Sequence, residues 1–297
     1  MRDSPINTML LRSILISILG VASLGHGAEP ARNIQIEPLH LISSGLGSVN
    51  VREVMKDEVP GVITDYMTFV GPVHHVQAAS SDENVVWFFL GGIGTLQAKD
   101  RTFQLSEETI ARVPLGWTLG IEVPEGETIL ALRFRKALSG EDRAELSNFT
   151  LFQSEPYIRT FRECIPYGEA IKSQKTVSRT LLPQDVVPRM AAGTVETTGP
   201  DRVLRHKHPM LEQYFVGLRG NDSAVSADNE RVIFPELSIL HIPLGSMHGA
   251  EVSDGNKLYY IWLDFFATKE SQVWLKTHKP IQENAADVSH PGPIGSR

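Results

Sequence analysis

Apolar residues along the chain gather in short runs, seldom at the three- and four-residue spacing of an amphipathic helix. Val85-Val-Trp-Phe-Phe-Leu90, Thr128-Ile-Leu-Ala-Leu-Arg-Phe134 and Leu258-Tyr-Tyr-Ile-Trp-Leu-Asp-Phe-Phe266 are rich in β-branched and aromatic residues and bounded by Gly, Pro or Asp clusters. That pattern predicts strands. In the last run, alternation places Tyr259, Ile261 and Leu263 on one apolar face and Tyr260, Trp262 and Asp264 on the other. The second face meets either a pocket or solvent. Helical spacing is confined to Val51-Arg-Glu-Val-Met-Lys56, Gly140-Glu-Asp-Arg-Ala-Glu-Leu146 and Lys269-Glu-Ser-Gln-Val-Trp-Leu-Lys276, short enough to decorate β cores.

The chain also matches itself. Ile110-Ala-Arg-Val-Pro114-Leu-Gly116 pairs with Ile239-Leu-His-Ile-Pro243-Leu-Gly245, and Glu122 and Gly126 pair with Glu251 and Gly255, at one offset of 129 residues. Upstream, Phe89-Leu-Gly91-Gly-Ile-Gly94 matches Phe215-Val-Gly217-Leu-Arg-Gly220 at an offset of 126. Two tandem β units follow, the second with a small insertion. Units of about 120 residues with many strands imply a sandwich, jelly roll or barrel.

Before the repeat, Met1 to Ala28 carries Arg2 and Arg12, an apolar run over residues 13–24, and the small-residue end Gly25-His26-Gly27-Ala28. This is the pattern of a secretory signal peptide, and its apolar run is shorter than the ~20 residues of a membrane helix. The mature chain is therefore expected to be exported, periplasmic or secreted, with no membrane attachment after cleavage. The formal charge of −7 argues against a nucleic-acid partner. Cys164, the single cysteine, excludes an internal disulfide framework and reads as a small buried hydrophobe. Asn148-Phe149-Thr150 and Asn221-Asp222-Ser223 have the glycosylation-acceptor pattern. It matters only in a eukaryotic source.

Candidate chemistry lies in the second unit. In Arg205-His206-Lys207-His208-Pro-Met-Leu-Glu212-Gln-Tyr214, two imidazoles stand two residues apart with a carboxylate four further on. On a strand, His206 and His208 share a face and Arg205 and Lys207 point away. Glu212 and Tyr214 join the His face if the turn near Pro209 preserves parity. His248, in Pro243-Leu-Gly245-Ser-Met-His248, offers a further ligand. His241 is expected to lie on a polar face without ligating.

These residues resemble the cupin superfamily, whose first motif is H-x-H, three or four residues, E, then a Gly, and whose second is P-x-G-x-x-H. His206, His208, Glu212 and Gly220 fit the first motif, and Pro243, Gly245 and His248 the second. Gly220 falls one residue later than the commonest spacing, and Val252 stands where the second motif usually ends in Asn. The resemblance implies an all-β chain of two tandem jelly-roll cupin barrels with a few short helices. It also implies that His206, His208, Glu212 and His248 bind one divalent transition metal, Mn, Fe, Zn, Ni or Co. Mapped through the repeat, Ser80, Asp82, Val86 and Leu119 replace those four residues in the first barrel, so that barrel is expected to hold no metal. His74 and His75 are adjacent and read as surface or packing residues.

The expected layout is a leader over residues 1–28, a degenerate barrel over 29–135 and an inter-barrel segment over 136–185. A metal-binding barrel follows over 186–268, then a helix and tail over 269–297. This is a bicupin layout also seen in ureidoglycine aminohydrolases. Cations in the inter-barrel segment, through Lys172 and Arg179, make it either a plain linker or a strap across the barrel mouth that binds an anion.

The expected function is an exported bicupin metalloenzyme acting on a small polar metabolite, with lyase, isomerase, hydrolase or dioxygenase chemistry. Tyr214 is the expected proton carrier. A metal-anchored binding module without turnover is the alternative. Jelly-roll edges of the resembled family pair, so a homodimer is also expected.

Overall fold

The computed structural model describes residues 34–41, 44–149, 153–208, 210–277 and 281–282. The expected leader, Thr150 of the first glycosylation pattern and the tail beyond residue 282 lie outside the described residues.

Two barrels are built, each from a larger and a smaller antiparallel sheet. In the first, the larger sheet runs in the order Tyr157–Thr160, Thr109–Arg112, Glu83–Gly91, Thr128–Ala137, Val62–Val70 and Ser48–Val54. Its smaller sheet runs Val73–Gln77, Leu119–Val123, Gly94–Ala98 and Arg101–Leu105. In the second, the larger sheet runs Gln35–Pro38, Ser238–Ile242, Leu211–Gly217, Lys257–Phe266, Met190–Thr198, Val177–Leu182 and Ile165–Tyr167. Its smaller sheet runs Glu230–Pro235, Asp222–Ala227, His248–Val252, Asp201–Lys207 and Ile281–Gln282.

The strand runs are continuously apolar because both faces of the larger sheets are covered. Trp87 and Phe89 point into the first barrel, where they stack with ring centroids 5.7 Å apart among Phe69, Leu119 and Ile121. Phe88 and Leu90, on the opposite face, join Phe134, Tyr214, Ile261, Leu263 and Phe265 in a core between the two larger sheets. A third core, with Phe215, Phe234, Leu240 and Tyr260, fills part of the second barrel. Tyr259, Ile261 and Leu263 are thus apolar packing, as their alternation predicts.

Two expectations need correction. Val51 to Lys56 starts as strand: Ser48–Val54 pairs with Val62–Val70 along its length. The seven-residue strand Ser48–Val54, with Val49 and Val51 alternating with polar residues, forms a sheet edge more readily than six residues nucleate a helix. The barrel limits at 135 and 186 do not follow sheet membership. Gln35–Pro38 pairs with Ser238–His241 of the second barrel, while Tyr157–Thr160 extends the first. The chain between the barrels is therefore woven into both. The Asn221 amide of the second glycosylation pattern is engaged within the fold. It is buried, its Nδ2 donates to the Phe234 carbonyl at 2.7 Å, and its Oδ1 accepts from the Tyr259 N–H at 2.7 Å.

The expected helices over 140–146 and 269–276 are present as Gly140–Glu145 and Lys269–Thr277. The first begins at a Ser139 cap whose side chain accepts from the Asp142 N–H, satisfying a helix-start donor. Cys164 is buried, and its thiol donates to the Thr160 carbonyl at 3.4 Å.

Candidate metal centre

His206 lies on Asp201–Lys207 and His248 opens the neighbouring strand His248–Val252; the two residues are register partners. His208 follows the end of its strand. The geometry brings all three together, with their candidate ligand nitrogens within 4.8 Å of one another. Ring centroids are 4.5 Å apart for His206 and His248, 5.0 Å for His206 and His208, and 5.6 Å for His208 and His248.

Backbone carbonyls fix two of the tautomers. Nδ1 of His206 lies 2.8 Å from the Leu204 carbonyl, and Nδ1 of His248 lies 3.0 Å from the Ser246 carbonyl. A carbonyl only accepts, so each Nδ1 carries the proton and each Nε2 presents its lone pair. Burial holds all three imidazoles neutral. It pushes His248 well below the ordinary imidazole range and lowers His206; with the nearby His206 and Lys172 it brings His208 to about 3. Nε2 of His248 and Nδ1 of His208 are buried without a hydrogen-bond partner among the described residues. Orphaned buried nitrogens are costly, and a soft or borderline divalent cation is the natural partner for such a donor set. The residues fit a transition metal.

Glu212 is not beside them. Its Oε2 lies 2.9 Å from Nε2 of His241, whose Nδ1 lies 2.8 Å from Glu58 Oε2. That buried imidazole, held between two carboxylates, lies at the junction of the barrels. Tyr214 is also turned away. It is fully buried in the inter-barrel core, its hydroxyl donates to the Met55 carbonyl at 3.4 Å, and burial with the Glu58 and Glu212 charges raises its phenol far above the ordinary value. Neither residue can serve the His cluster.

The cause is parity. Residues alternate faces within a strand, but the count is not carried from Lys207, where one strand ends, to Leu211, where the next begins. Gln213 and Phe215 therefore face the barrel interior. Gln213 holds the position expected of Glu212, and the late Gly220 was the signal: counted from Gln213, it falls at the commonest spacing. Glu212→Gln, which keeps a hydrogen-bonding group against His241, is expected to leave metal content at the wild-type level. Loss of the metal in that variant would return Glu212 to the ligand set.

His206 and His208 line a cavity of about 290 Å³, whose wall also includes Gln213, Asp264, Lys172, Glu169, Trp262 and Tyr260. So the Tyr260, Trp262 and Asp264 face meets the pocket, and the inter-barrel segment contributes Tyr167, Glu169, Lys172 and Thr180 to its wall. Gln213 Nε2 donates to Asp264 Oδ1 at 2.7 Å, while Gln213 Oε1 is buried with no partner among the described residues. Burial pushes the Asp264 carboxyl up to about 7, and the Gln213 hydrogen bond only partly offsets that.

The corresponding space in the first barrel is filled. Trp87 stands where the repeat places Gln213, and Leu119 where it places His248; both are fully buried. His74 pairs with Glu122 at the surface, and His75 packs against Phe69 and Trp87. On the outer face of the second barrel, Arg205 donates to the Asp228 and Met247 carbonyls.

No family model and no curated protein matches the sequence. Solved structures do match in shape. Oxalate decarboxylase from Lactobacillus farciminis, in a formate complex, superposes with a TM-score of 0.57 at 14% identity, over 84% of this chain and 92% of its own. Protein Ylba from E. coli gives 0.57 at 13%, over 78% and 90%. A cupin 2 conserved barrel domain protein from Leptotrichia buccalis gives 0.51 at 13%, over 76% and 92%. At such identities the likeness is one of fold.

Proposed function

Because the chain has the cupin fold, we propose that it is an exported metalloenzyme whose second barrel acts on a small polar metabolite. The leader over residues 1–28 supports export. The observation that carries the enzyme reading is a cluster of three neutral imidazoles, two with orphaned buried nitrogens, of which His206 and His208 line the cavity that also holds Asp264. His206, His208 and His248 would hold one divalent Mn, Fe, Zn or Ni ion. Such an ion supplies Lewis acidity, or a bound water of lowered pKa.

The chain's own residues do the rest. Asp264, with a carboxyl near 7, is poised to accept or release a proton at its Oδ atoms. Gln213 fixes one of those oxygens through its amide. Phe215, Tyr260 and Trp262 in the wall limit water around the reacting group. Asp264 therefore replaces Tyr214 as the proton carrier in this reading.

The test is a panel of hydroxy acids, keto acids, sugar acids and amides incubated with metal-loaded full chain and followed by NMR. Turnover of one class that Asp264→Asn cuts by about 100-fold or more, with metal content unchanged, is expected. Binding of panel members with no turnover would overturn the enzyme reading in favour of a metal-anchored binding module.

A further inference from the structure

Lys172 lies in the cavity wall with its side chain only 6% exposed, although nothing in a β barrel requires a buried ammonium there. Its Nζ donates to Ser178 Oγ at 3.0 Å and lies 5.1 Å from the Tyr167 ring centroid. Among the described residues its ion-pair partner is Glu169, three residues earlier, whose side chain is 38% exposed. Both residues stand on a turn closed by the Lys172 N–H to the Glu169 carbonyl at 3.1 Å.

A buried cation is costly unless it is paired, and here the pairing carboxylate is the more solvent-exposed member. The charge balance of the cavity sharpens the point. With Gln213 in the position of a carboxylate, three imidazoles leave the full charge of a divalent ion uncompensated, and Lys172 adds another positive charge. Asp264 offsets little of this while its proton is retained. An anionic ligand of few heavy atoms matches both this excess and the 290 Å³ volume.

Resting on the metal-centre reading above, we propose that Lys172 binds the carboxylate of a small organic acid in this cavity. Glu169 holds that place as a built-in counter-ion and is displaced when the acid enters. Lys172 is thus a specificity-determining residue, and Glu169 competes with the ligand.

The probe is malonate, with its neutral isostere malonamide as control. Both are titrated calorimetrically into metal-loaded full chain, with metal content measured on each sample. Wild type is expected to bind malonate and not malonamide. Lys172→Met, close in volume, should weaken malonate about tenfold or more, Lys172→Arg should recover most of that loss, and Glu169→Gln should tighten binding severalfold. If Glu169→Gln weakens malonate as Lys172→Met does, the pair only staples the turn and the inference fails. It also fails if metal-replete protein does not bind malonate, or binds it equally well in Lys172→Met, and the metal centre then stands. Absence of metal from wild type would instead overturn the metal-centre reading on which the inference rests.

Discussion

Metal-free protein is expected to lose stability steeply as pH falls from 7 to 5. His206, His208 and His248 have native values depressed below the ordinary imidazole range by burial, whereas in the unfolded chain each returns to about 6.5. Below that value the unfolded state binds protons that the native state refuses, so the contribution of a depressed imidazole is present above about 6.5 and lost on acidification. Each imidazole contributes up to about 1.4 kcal/mol per pH unit, and three together about 4. Asp264 acts in the opposite direction. Its native value is raised to about 7, so between about 4 and 7 the native state keeps a proton that the unfolded state releases, and acidification favours folding by about 1.4 kcal/mol per unit. The net is at most about two protons, or up to about 2.7 kcal/mol per unit near pH 5, a large share of the 5–15 kcal/mol typical of a folded domain. Urea unfolding of metal-free protein at pH 7, 6 and 5 measures it. His248→Gln should reduce the slope by about one proton. A flat profile in wild type would mean that the imidazoles are not buried and neutral.

Tyr214→Ala is expected to cost about 3–5 kcal/mol, the range for removing a large aromatic from a core. Tyr214 packs against Phe265 at 5.4 Å, His241 at 5.5 Å and Phe134 of the first barrel at 6.4 Å between centroids. The same ring thus supports both barrels through the core that they share. Denaturant unfolding should remain a single transition with a lower midpoint. Tyr214→Phe, which keeps the ring and loses the hydroxyl's 3.4 Å bond to the Met55 carbonyl, should cost about 1 kcal/mol. Two separated transitions in wild type would show that the shared core does not couple the barrels.

Much of this architecture is legible in the chain. Runs such as Val85 to Leu90 lack the polar alternation of a one-sided sheet because Trp87 and Phe88 are buried on opposite faces. The repeat locates the two barrels, and its losses at Leu119 and Ser80 fall in the barrel whose interior is packed solid. His206, His208 and His248 are separated by up to 42 residues in sequence yet are found together, because the strands that carry the first and last are register partners.

What local pattern does not carry is parity across a turn and pairing at long range. One residue of slip sends Glu212 to His241 and Gln213 to the cavity. The pairing of Gln35–Pro38 with Ser238–His241 leaves no local trace, since a four-residue edge strand has almost no periodicity to read. Lys172 and Asp264 were visible as charges, but only the closure of the barrel places them on one cavity.

The central claim is a transition-metal centre made by His206, His208 and His248. It is tested most directly by elemental analysis of the wild-type protein and of His248→Ala, both purified without chelating chromatography. One Mn, Fe, Ni or Zn per chain is predicted for wild type. His248→Ala should bind it on the order of 100-fold more weakly at the least, more than the loss of a supporting hydrogen bond costs. Wild-type protein that holds no metal after exposure to each of these ions, or a His248→Ala variant that keeps a full complement, would contradict it.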